Sequence, residues 1–75
     1  MVDLQTKWGA GIAARRAEHG MTQRELAMRI ATTQQHLSRI ETGAISPGDD
    51  LRIRIADAFG LSVEDVFPYA PAAAS

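Results

Sequence analysis

The chain has 75 residues, with 8 Lys and Arg against 9 Asp and Glu, a formal net charge of −1 and no cysteine. Without cysteine there is no disulfide framework, thiolate nucleophile or thiolate metal site, and no stretch nears the roughly 18 apolar residues of a membrane span. The expectation is one small, soluble, cytoplasmic domain that buries only about 60% of its unfolded surface.

Leu4, Trp8 and Ile12 recur every four residues and predict the inner stripe of a first helix, which Gly20 ends. The next segment opens Met21-Thr22-Gln23-Arg24-Glu25-Leu26. Thr22 and Glu25 have capping-box spacing, and Met21 with Leu26 has that of a hydrophobic staple. Leu26, Ala27 and Ile30 supply the apolar face of this second helix. After a break at Ala31-Thr32, Thr33 caps a third helix from Gln34 to Thr42, with Leu37, Ile40 and Ala44 inward. Gln34, Gln35, Ser38, Arg39 and Thr42 point outward, and Gly43 falls at the C′ position. Ser46-Pro47 predicts the start of a fourth helix, striped by Leu51, Ile55 and Phe59 and ended by Gly60. Ser62 with Asp65 predicts a second capping box, and Leu61 with Val66 a second staple, for a short fifth helix over 63–67. The fold class is therefore all-α, a compact five-helix bundle. Its domain is residues 1–67, followed by a disordered tail, 68–75, in which Tyr69 packs back.

Two short helices, a tight turn and an outward row of bidentate donors and acceptors suggest a helix-turn-helix that reads double-stranded DNA. The chain resembles the Cro/C1-type (XRE) helix-turn-helix family of phage repressors and bacterial regulators. Gly20, Thr22, Gln23, Leu26, Ala27, Ile30, Leu37, Ser38, Arg39, Ile40, Glu41, Gly43 and Pro47 carry the resemblance, which continues through Ala56, Ala58, Gly60, Ser62 and Phe67. Upstream, Gly9, Ile12 and Arg16 sit at the family's first-helix spacing. The resemblance implies a lambda-repressor-like DNA-binding domain. It also implies that Arg16 and Glu41 bridge the first helix to the end of the third. Their place beside Ile12 and Ile40 would partly bury both charges, so each needs the other. Ala44 and Ile45 stand where the family carries Lys or Arg, and Asp49 and Arg52 where it carries apolar residues.

Gln34 and Gln35 begin the outward face, where a recognition helix reaches deepest into the major groove. A glutamine amide matches adenine N6 and N7, whereas Arg39 fits either guanine O6 and N7 or a phosphate. Gln23, at a helix start, and Ser38 are expected on the DNA backbone. Thr42, Arg24, Arg29 and His36 are weaker backbone candidates. The plain alternative for each is a solvated helix surface. His19 and His36 share no ligand set, so no metal and no cofactor is expected, and no small-molecule ligand.

Charge is unevenly divided. Residues 1–43 carry a balance of +2 and residues 44–75 one of −3, which sets the reading face in the more basic part. So small an excess implies few phosphate contacts per subunit. The expected protein is a dimeric transcriptional regulator, most simply a repressor on an inverted-repeat operator. Leu61, Val63, Val66 and Phe67 are the dimer-interface candidates. The competing reading is an antitoxin-type module that also binds a protein partner through exposed apolar residues. An enzyme is not expected, because no acid, base and nucleophile constellation appears.

Overall fold

A computed structural model describes residues 3–69. Five helices follow one another: α1 (Leu4–Glu18), α2 (Gln23–Arg29), α3 (Gln34–Glu41), α4 (Asp49–Phe59) and α5 (Val63–Val66). The described residues are otherwise turns and connections without strands. Local chemistry sets most of these boundaries. Asp3 caps α1 by accepting from the Thr6 amide at 2.8 Å, a cap absent from the sequence expectations. Thr22–Glu25 and Ser62–Asp65 form complete capping boxes at α2 and α5. Thr33 caps α3 by accepting from the His36 amide at 3.1 Å.

The turns that follow α1, α2 and α3 share one hydrogen-bond pattern, in which the first residue past the cap is left-handed and two backward amide bonds close the end. Gly20 and Gly43 hold that position at φ 68° and 82°. After α2 it falls on Ala31 at φ 59°, with Ala31 N–H donating to Met28 at 3.2 Å and Thr32 N–H to Ala27 at 2.9 Å. A Cβ makes this conformation costly, so the helix-turn-helix corner is held by the flanking packing.

The core joins all five helices. Ile12, Leu26, Ile30, Leu37 and Ile55 are fully enclosed, with Trp8, Ala27, Ile40, Ala56, Phe59, Val66 and Phe67 completing the buried set. α1 crosses α3 closely at Gly9, where a side chain would run into the backbone carbonyls of Ile40 and Glu41. That crossing fixes α3 against the bundle.

Several expectations need correction. α4 begins at Asp49 with Gly48 as its cap, not at Ser46-Pro47, because Pro47 buries its ring instead of leading the first turn. Ala44 is exposed, since the left-handed Gly43 turns the chain away from the bundle. Tyr69 does not pack back: it is 89% exposed. The rest of the expected tail, residues 70–75, lies outside the described residues. Val66 and Phe67 are not free interface residues, being 2% and 1% exposed. Phe67 meets Trp8 edge to face at 5.5 Å, and the Trp8 indole N–H donates to the Pro68 carbonyl at 3.0 Å. They belong to the core because α5 is too short to pack except by its end. Leu61 remains at the surface and Val63 is half-buried.

Arg52 also takes a role the sequence did not announce. Its guanidinium lies 5.1 Å over the Trp8 ring and 5.9 Å from that of Phe67. A planar, weakly hydrated cation can cover an aromatic pair where an ammonium would not, so it occupies a position expected to be apolar.

Candidate nucleic-acid interface

α3 has two faces because its apolar residues recur every three residues. Leu37 and Ile40 face the core, so Gln34, Gln35 and Arg39 must face out, and all three are exposed. Among the described residues, none of these three side chains has an intramolecular hydrogen-bond or ion-pair partner. Gln34, Gln35, Ser38 and Arg39 line one side of a shallow open groove, and Gln23, from the start of α2, lines the other. Thr33, His36, Gln35 and Arg39 border a second hollow on the other flank of α3. The arrangement presents two amides and a guanidinium on a rigid helix, groups that can pair bidentately with base edges.

The other expected contacts divide. Ser38 and His36 are half-buried at the edge of this face, and Arg24 and Arg29 are exposed on α2. The Thr42 hydroxyl donates to the Arg39 carbonyl at 3.2 Å. Its proton is committed to its own helix, which leaves an acceptor and no free donor for a phosphate. Asp49 and Asp50, with His36, Ala31, Thr32 and Arg54, line a broad hollow where α3 begins and α4 begins. The carboxylates disfavour phosphate on that side, so the electropositive part of the face runs from Arg39 towards α2.

Arg16 and Glu41 lie beneath the face. Arg16 Nε donates to Glu41 Oε2 at 2.8 Å and Nη2 to Oε1 at 3.2 Å, a bidentate pair with side chains 19% and 5% exposed. The hydrogen bonds it donates to the Glu41 carboxylate hold the Arg16 guanidinium above its ordinary pKa. Arg16 Nη1 also donates to the Met21 carbonyl at 2.9 Å, just before the cap of α2. Gln23 Nε2 donates to Glu41 Oε1 at 2.9 Å. The sequence reading missed this last contact. Its partners are 18 residues apart on different helices, and no local spacing announces it.

The helix-turn-helix family model matches residues 12–66, which include every helix except the first turns of α1. The chain belongs to this family, the Cro/C1-type helix-turn-helix regulators, and DNA binding is the class of function that membership implies. It is 39% identical over 54 residues to an uncharacterised HTH-type transcriptional regulator of Methanocaldococcus jannaschii, covering 72% of this chain and 82% of that protein. With an uncharacterised HTH-type transcriptional regulator of Sinorhizobium fredii it shares 37% identity over 68 residues, 89% of this chain and 88% of the other. Among solved structures, it is similar to the clp gene regulator ClgR of Corynebacterium glutamicum. That match has a TM-score of 0.81 at 34% identity and covers 87% of this chain and 69% of ClgR. These relatives are transcription regulators rather than enzymes. No helix among the described residues is long and apolar enough to cross a membrane.

Proposed function

We propose that the chain is a repressor that binds an inverted-repeat operator as a homodimer and acts by occupying a promoter. Residues 1–67 serve as its DNA-binding domain. Gln34 and Gln35 read base edges, most simply adenine, and Arg39 reads guanine or clamps a phosphate. Gln23, Ser38 and Arg24 hold the backbone, with His36 at the margin. The observation that carries this reading is the outward face of α3: three exposed side chains able to pair bidentately, none claimed by an intramolecular partner among the described residues. A small net charge leaves each subunit with few phosphate contacts, which favours two subunits with half-site centres roughly 34 Å apart. Leu61, 36% exposed, and the half-buried Val63 are the apolar residues of the α5 region left for such an interface. On α4, Ile53 is 50% exposed and supports the antitoxin-type alternative, in which a protein partner covers it.

Selection of bound sites from random duplex DNA defines the operator and its symmetry. On that operator, Gln34→Ala or Gln35→Ala is expected to lose about 1–3 kcal/mol, with little change on random DNA at the same salt concentration. An unchanged ratio of specific to non-specific affinity in both variants would show that this face does not read sequence. Sites without two-fold symmetry, bound by one protein each, would exclude the dimer.

A further inference from the structure

The groove beside α3 has one wall that is not free. Gln23 lines it from the first position of α2, yet its amide nitrogen is tied 2.9 Å away to Glu41 Oε1. Glu41 itself is almost sealed, its side chain 5% exposed, and Arg16 donates to both its oxygens. We propose that Glu41 is a positioning residue for DNA binding, one that fixes the Gln23 amide so that its remaining N–H faces an incoming phosphate. This rests on the reading of Gln23 as a backbone contact.

Donors and acceptors set the orientation of the Gln23 amide. A glutamine amide can normally turn over, exchanging its NH2 and its carbonyl. An ionised carboxylate only accepts, so the amide must offer NH2 to Glu41, and the flipped form would set oxygen against oxygen. One of the two N–H bonds is then committed to Glu41. The other stays on the same nitrogen, a free donor on a side chain that lines the groove, with its swing restricted by the bond to Glu41. A phosphate needs a donor, so the flip that Glu41 forbids is the one that would repel it. Arg16 completes the device in two ways. Its bidentate pairing offsets the Glu41 charge, which would otherwise oppose a nearby phosphate. Its third nitrogen grips the Met21 carbonyl at 2.9 Å, so the same guanidinium sets the approach of the chain into α2. A side chain ordered before binding loses less freedom on binding, and that ordering is what Glu41 supplies.

The test separates fold from position. Gln23→Met keeps the bulk and removes the amide, Glu41→Gln keeps the shape and removes the strict acceptor, and the two are combined. Affinity is measured on a short random-sequence duplex at one salt concentration, because a phosphate contact is blind to sequence. Glu41→Gln is expected to weaken binding about threefold to tenfold when Gln23 is present, and by less than about twofold in the Gln23→Met background. In the free protein, the Gln23 side-chain amide resonances should lie apart from those of the exposed glutamines and move among them in Glu41→Gln. Should Glu41→Gln fail to fold, the Arg16→Met/Glu41→Met pair takes its place, since an apolar pair commonly replaces a buried ion pair without loss of stability. Equal losses with and without Gln23, or amide resonances that do not move, overturn the positioning role while leaving Gln23 on the phosphate. If Gln23→Met leaves affinity unchanged, Gln23 does not hold a phosphate, and the inference falls with that reading.

Discussion

The two ends of α3 are built on opposite principles. At its start, Gln34 and Gln35 stand in solvent with no intramolecular partner among the described residues. At its end, Glu41 is almost fully enclosed and takes hydrogen bonds from Arg16 and Gln23. Both ends are polar, so polarity does not distinguish reading from support. Satisfaction does. A buried carboxylate must be met by donors inside the protein, whereas a side chain meant for another molecule must keep at least one donor or acceptor unmet within its own. The gap between the two ends is one short helix, held rigid by Leu37 and Ile40 in the core and by the close crossing of α1 at Gly9.

That contrast can be broken most forcefully at its buried end. Arg16→Ala or Glu41→Ala is expected to cost about 3–5 kcal/mol in chemical denaturation, because the surviving charge stays enclosed without its partner. A loss of a few tenths, additive in the double variant, would mean that the pair behaves as a solvated one. The corner between α2 and α3 offers a gain instead. Ala31→Gly is expected to stabilise the protein by about 0.5–1 kcal/mol, since glycine adopts the left-handed conformation without a Cβ and gives back part of that gain as chain entropy. A thermal midpoint that falls would show that Ala31 is not left-handed in solution.

The α2 capping box gives a smaller effect with a defined pH dependence. Hydrogen bonds from the Thr22 backbone and side chain hold the Glu25 carboxyl below the usual carboxylate pKa. Its folded pKa therefore lies below its unfolded one. The contribution is complete above the unfolded value and is lost as pH falls through the folded one. The difference in thermal midpoint between the parent and Glu25→Gln should accordingly be largest near neutrality and shrink in acid. A difference that grows in acid would reverse the sign. The smallest expected effect lies at the exposed end: Gln34→Ala and Gln35→Ala should leave folding stability within about 0.5 kcal/mol of the parent. A larger loss would mean that these residues support the fold, and the contrast between the two ends would disappear.

Much of this molecule follows from short-range rules that the sequence states openly. Thr22 with Glu25 and Ser62 with Asp65 satisfy helix-start amides three residues away, and Gly20, Gly43 and Gly60 take the left-handed position past helix ends. Such interactions need only neighbours along the chain, as does the outward placement of Gln34, Gln35 and Arg39 once Leu37 and Ile40 are inside. The tertiary structure alone decided where charges and rings meet across helices. It enclosed Val66 and Phe67 against Trp8, laid Arg52 over that aromatic pair, and started α4 two residues beyond Pro47. It also closed Gln23 onto Glu41, turning a helix-start glutamine into part of a buried network. These contacts join residues that local spacing cannot relate, and their free energy depends on burial, which only the packed chain defines.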